Sequence, residues 1–126
     1  MVQGIGIDIV AVSRIKKLMD LYGTNFLEKV FTGPEIEYCS GKAHPEIHFS
    51  GRWAGKEAFY KALPDQLQSV ATWKGIEILS ETARGRPVIR FIDTDFRERC
   101  TESGLSRFHL SISHEHDYCT AMVFME

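Results

Sequence analysis

The sequence predicts an α+β fold in which a mostly antiparallel sheet packs against one long central helix. Three observations carry this expectation. Residues 50–64, SGRWAGKEAFYKALP, place Gly51, Ala54, Gly55, Ala58 and Ala62 on one face at about 100° per residue. Residues 4–12, GIGIDIVAV, alternate with period two. Residues 108–125 read as two alternating runs on either side of a polar turn. The full predicted order is β-α-α-α-β-β-α-β-β, in a chain whose 126 residues are expected to form one domain.

In the first strand, Ile5, Ile7 and Ile9 share one face, and Gly4, Gly6 and Asp8 share the other. Aspartate is disfavoured inside strands, and the glycines beside it are expected to leave open space around the carboxylate. An Asp that simply caps the next turn fits the same spacing. Ser13 is placed to cap a helix with Ile15, Leu18, Met19 and Tyr22 on one side and Gly23 as its stop. Arg14, Lys16 and Lys17 make the start of that helix basic.

A short apolar segment at 26–31 precedes Thr32-Gly-Pro-Glu35, which has the form of a capping box. The central helix is expected from Pro45 to about Ala62, with Pro64 beyond it. Residues 66–72 read as a loop. Strands at 75–79 and 87–92 flank a turn carrying Arg84 and Arg86, and a helix over 95–103 is closed by Gly104. The final hairpin is expected to have strands at 108–113 and 118–125, with 114–117 as its turn.

Composition removes several classes of function. A formal net charge of −2 lacks the basic excess of a nucleic-acid binder. No apolar run approaches 18 residues, so no membrane span is expected. The N-terminus has neither a basic region nor a small-residue cleavage site, so it does not read as a signal peptide. Cys39, Cys100 and Cys119 have no CxxC spacing, which points to free thiols and a cytoplasmic location. There is no phosphate-binding GxxxxGK[ST], no dinucleotide fingerprint and no zinc-type spacing.

What remains is a set of charged residues around the central helix. Asp8 and Glu57 suit a hard divalent cation such as magnesium, which takes one or two protein carboxylates and completes its shell with water and phosphate. Lys61, one turn beyond Glu57, can neutralise a phosphate oxygen as a point charge, and His114 can donate to an anion or move a proton. Arg52 and Lys56 fall towards the opposite border of the helix, where they are expected to reach into a cleft. A Glu four residues before a Lys also stabilises an isolated helix by about 0.2–0.5 kcal/mol. Spacing alone therefore leaves open whether Glu57 and Lys61 form a site or a surface ion pair.

GIGIDIV, FTGPE, GRWAGKEAFYKAL and HLSISHEHDYCTAMV, in this order over nearly the whole chain, resemble the holo-acyl-carrier-protein synthases, the small stand-alone class of 4′-phosphopantetheinyl transferases. The resemblance implies transfer of the 4′-phosphopantetheine arm of coenzyme A to a serine of apo acyl carrier protein, with release of adenosine 3′,5′-bisphosphate. It implies Asp8 and Glu57 as magnesium ligands and Lys61 beside the pyrophosphate, the three forming the catalytic set. It places Arg52 and His114 at coenzyme A phosphates, Pro87 beside the adenosine, and Arg14 with Lys17 against the acidic helix of the carrier protein. It also implies a homotrimer with sites between subunits.

The chain departs from the family pattern in three places. Pro64-Asp-Gln-Leu-Gln-Ser stands where a glycine-rich turn is usual, Tyr60 replaces a small residue, and Cys119 and Thr120 replace alanines. Two other readings are a coenzyme- or carrier-binding module without catalysis and a metal-dependent phosphohydrolase. The intact Asp8, Glu57 and Lys61 set argues against the first.

Overall fold

The computed structural model describes residues 1–81 and 85–126. In chain order the elements are β1 (Gly4–Ala11), α1 (Val12–Tyr22), α2 (Thr24–Val30), α3 (Gly33–Ser40), α4 (Pro45–Ala62), α5 (Asp65–Gln68), β2 (Ile76–Ser80), β3 (Pro87–Phe91), α6 (Thr94–Glu102), β4 (Phe108–Glu115) and β5 (Tyr118–Met125). The strands form two antiparallel sheets, one ordered β1-β5-β4 and one made of β2 and β3. Helix α4 lies across β1, β5 and β4, so the predicted class and its central packing are the observed ones.

Two short helices were not anticipated. The apolar segment after Gly23 coils into α2, which buries Phe26 and Val30, four residues apart. The expected loop after Pro64 contains the single turn α5, which buries Leu67. Its Gln68 amide donates to the carbonyls of Tyr60 and Leu63, satisfying orphan acceptors at the end of α4.

The small face of α4 lies against the sheets as predicted. A Cβ built on Gly55 would stand 2.7 Å from Ile78 Cδ1, and one on Gly51 would stand 3.2 Å from Ile112 Cγ2. The glycines of β1 have the opposite meaning from the one expected. A Cβ on Gly6 would lie 1.9 Å from the Ala58 carbonyl oxygen, and one on Gly4 would lie 2.1 Å from that of Ala62. The space beside Asp8 is filled by the backbone of α4, and β1 approaches closely because Gly4 and Gly6 have no side chain. Gly6→Ala is therefore expected to destabilise the protein by about 3 kcal/mol through overpacking. Gly33→Ala, whose Cβ meets nothing within 4 Å, should stay within about 0.5 kcal/mol of wild type. Urea midpoints of the two variants check the pair.

Several boundaries differ for local reasons. Ser13 does not cap α1, because the helix starts at Val12 directly from β1 and the Val12 N–H donates to the Asp117 carbonyl at 2.8 Å. The capping box is present: Thr32 N–H donates to Glu35 Oε1 at 2.8 Å, and Glu35 N–H returns to Thr32 Oγ1 at 3.4 Å. Helix α6 starts at Thr94, one residue before the expected boundary, and Asp93 caps it by accepting from the Phe96 N–H. The hairpin turn holds only His116 and Asp117, with His116 at φ +35°. His114 thus belongs to β4 rather than to the turn. Arg84, expected to place charge at the β2–β3 turn, lies outside the described residues.

Candidate active site

Asp8 and Lys61 meet where β1 crosses the last turn of α4. The Lys61 ammonium donates to Asp8 Oδ1 at 3.0 Å and to the Ile7 carbonyl at 3.1 Å. Among the described residues Lys61 makes its ion pair with Asp8 and not with Glu57, so the i, i+4 surface pair that the spacing allowed is not formed. Thr120, on the neighbouring strand, donates to the Asp8 carbonyl at 2.9 Å and ties β1 to β5 at this point.

Glu57 is half-buried, and its carboxyl is held above the usual range. Burial is the larger cause and the negative charge of Asp8 the second, while Lys61 and Arg14 pull the other way. The structure thus brings Asp8, Glu57, Lys61 and Arg14 into one electrostatic neighbourhood. Arg14 stands over the Trp53 ring at 5.5 Å, and Lys17 is exposed on the same helix. The influence of Arg14 on Glu57 was not legible in the sequence, since α1 and α4 are far apart along the chain.

A cavity of about 270 Å³ opens beside Glu57, lined by Phe59, Tyr60, Thr72, Trp73 and Phe96 among others. Trp73 stacks on Trp53 at 4.6 Å. Sequence reasoning missed this wall, because residues 66–73 carry no periodic pattern. Tyr60, one of the departures from the family pattern, forms part of it and remains partly exposed.

Lys56 lies on the wall of the cavity beside Glu57, but neither its ammonium nor the Arg52 guanidinium is held out in solvent. Both are buried, because α3 and β2 cover that border of α4. Lys56 Nζ pairs with Glu35 Oε1 at 2.8 Å and donates to the carbonyls of Val30, Trp73 and Ile76 at 2.9, 2.7 and 3.1 Å. Arg52 lies over the Tyr38 ring and donates to Ser80 Oγ at 3.4 Å. Pro87 is the strand partner of Ser80, and His114 projects its charge onto His48 together with Arg52 and Lys42. Arg52, Pro87 and His114 therefore gather at a second place. Five residues separate Arg52 from Glu57, which sets them about 140° apart around the helix.

The three cysteines are free and buried. Burial pushes Cys39 up to about 12 and Cys100 and Cys119 to about 11, so none is a ready nucleophile.

With this geometry in view, a family model of the 4′-phosphopantetheinyl transferase superfamily matches residues 4–123. The chain belongs to that superfamily. Within it, the chain groups with the holo-[acyl-carrier-protein] synthases. It is 39% identical over 126 residues to the holo-[acyl-carrier-protein] synthase of Geotalea daltonii, covering 100% of this chain and 99% of the relative. It is 42% identical to that of Halothermothrix orenii, with 100% and 98% covered. The crystal structure of the Neisseria meningitidis synthase superposes with a TM-score of 0.86 at 31% identity, covering 100% of this chain and 99% of that one. The Bacillus anthracis synthase, solved in complex with CoA (3′,5′-ADP), superposes with a TM-score of 0.77 at 29% identity, with 99% and 96% covered.

Proposed function

We propose that this chain transfers the 4′-phosphopantetheine group of coenzyme A to a serine of an apo acyl carrier protein, with magnesium, releasing adenosine 3′,5′-bisphosphate. The observation that carries the reading is the meeting of Asp8, Glu57 and Lys61 in a chain that matches holo-[acyl-carrier-protein] synthases from end to end. The chain acts as one domain, and its buried free thiols suit the reducing cytoplasm.

The donor set fits magnesium. The negative charge of Asp8 acts on Glu57 across the β1–α4 contact, and since among the described residues no group of three or more His, Cys, Asp or Glu side chains could hold a metal ion, the ion would take these two carboxylates and complete its shell with water and phosphate. Asp8 and Glu57 would hold the ion, which when bound supplies charge neutralisation at the pyrophosphate. Lys61 donates to a phosphate oxygen as the bond to the leaving bisphosphate breaks. The carrier serine attacks the β-phosphate, forming the new O–P bond and losing its proton. Glu57, or a water held beside it, would accept that proton. The cavity beside Glu57 offers an apolar wall for the pantetheine arm.

Arg52, Pro87 and His114 are assigned to the phosphates and adenosine of the coenzyme. Since they lie away from Glu57 on one chain, a single coenzyme would draw on two subunits. The outer face of β1 supplies a surface for such an assembly: Ile5, Ile7 and Ile9 are 58, 57 and 67% exposed, a continuous apolar stripe of the kind that marks an interface. We assign a homotrimer. Light scattering should show three chains for wild type and one for Ile7→Asp, with transfer lost in the variant; monomeric wild type would overturn the assembly. Arg14 and Lys17 would meet the acidic carrier, so its binding should weaken with salt.

The direct test is mass spectrometry of apo carrier protein incubated with enzyme, coenzyme A and magnesium. Gain of the phosphopantetheine arm supports the reading. Binding without mass gain would leave a carrier-binding module, and coenzyme cleavage without carrier would leave a phosphohydrolase.

A further inference from the structure

The Arg52 guanidinium shares the Tyr38 ring with a second cation, Lys42. Arg52 is 6% exposed, and its Nε is buried without a hydrogen-bond partner. Its guanidinium lies 4.6 Å from the Tyr38 ring centre, and the Lys42 ammonium lies 4.5 Å from the same centre. His48 meets that ring edge-on, with ring centres 6.1 Å apart. The groups facing His48 come from each element around it: Tyr38 from α3, Lys42 from the loop after α3, Glu46 and Arg52 from α4, and His114 from β4. Glu46 is the one acid among them, and it already lies 3.7 Å from His44 Nδ1. A buried cation with an unmade hydrogen bond, sharing an aromatic ring with the Lys42 ammonium, is completed by an anion.

The geometry points to His48 as a proton-linked member of this anion site: when a phosphate binds at Arg52, His48 takes up one proton from solvent, keeps it, and hydrogen-bonds the phosphate as the imidazolium. This rests on the reading of Arg52 as a coenzyme-phosphate residue. In the free protein, burial first, and then the charges of Arg52, Lys42 and His114, hold His48 below its ordinary range, with Glu46 opposing them. A phosphate brings negative charge and reverses the balance. Between the free and bound pKa values, binding consumes a proton. Affinity is then greatest below that window and falls as pH rises through it.

The test is an NMR pH titration that resolves the His48 ring from the His114 ring in the full-length protein. It is run alone, with inorganic pyrophosphate, and with adenosine 3′,5′-bisphosphate. Saturation is expected to raise the His48 pKa by about one unit, equivalent to about tenfold tighter binding on the acid side. In His48→Phe, which keeps an aromatic edge against Tyr38, that tenfold advantage should be missing at low pH and the difference from wild type should vanish at high pH. If the nucleotide binds and the His48 titration stays where it was, the proposal is wrong and the coenzyme reading survives. If pyrophosphate moves His48 while the nucleotide fails to bind, the proposal stands and the coenzyme reading falls. Failure of both ligands to bind overturns both.

Discussion

Glu57→Gln is expected to fold normally and to lose transfer by about a hundredfold to a thousandfold, the scale on which removal of a preorganised electrostatic group acts. The side chain makes no ion pair among the described residues, and glutamine has the same shape. Burial and Asp8 raise the carboxyl, so the ionised form opposes folding. The sign follows from linkage. A raised folded-state pKa contributes stability that is present at low pH and lost as pH rises through that value. Glutamine carries no such loss, so at pH 7 to 8 the variant should be as stable as wild type or slightly more so. The carrier mass shift and a urea midpoint read the two halves separately. Wild-type transfer by this variant would remove Glu57 from the chemistry.

Lys56→Met is expected to destabilise the protein by about 3–5 kcal/mol, because it strands a buried carboxylate. Glu35 is fully buried, and its two oxygens accept from Thr32 N–H and Ile78 N–H at 2.8 Å each besides meeting Lys56. Removing the ammonium also orphans the carbonyls of Val30, Trp73 and Ile76. The double variant Lys56→Met with Glu35→Gln should recover part of the loss, since it removes the stranded charge and the amide oxygen can still accept from Thr32 N–H, although the amide nitrogen cannot accept from Ile78 N–H. Denaturant unfolding of the single and double variants measures the coupling. A single-variant loss under about 1 kcal/mol would mean that the pair contributes little. The pair matters for function because it clamps α4 to α3 and β2 one residue before Glu57.

These two residues show where the sequence was legible and where it was not. The capping box at Thr32 and Glu35 was readable, because its partners are three residues apart. The same carboxylate's bonds to Lys56 and Ile78 N–H were not, because they depend on how α3, α4 and β2 stack. The small face of α4 was readable from periodicity, and it positions the helix on the sheet as expected. Gly4 and Gly6 were read as open space because a glycine pattern does not say what fills the missing volume, and α4's own carbonyls do. His114 was placed in the turn because the four polar residues from His114 to Asp117 concealed a two-residue hairpin. That slip matters, since in β4 its charge acts on His48 beside Arg52. Asp8, Glu57 and Lys61 were identified as residue types before their meeting was visible. The partner of Lys61 changed from its helix neighbour to a strand residue 53 positions away.

The most direct measurement is a manganese titration of the full-length chain followed by electron paramagnetic resonance, with manganese standing in for magnesium. Wild type is expected to bind one ion per chain, and both Asp8→Asn and Glu57→Gln to weaken that binding about a hundredfold. Undiminished manganese binding in either variant would contradict a cation held jointly by β1 and α4.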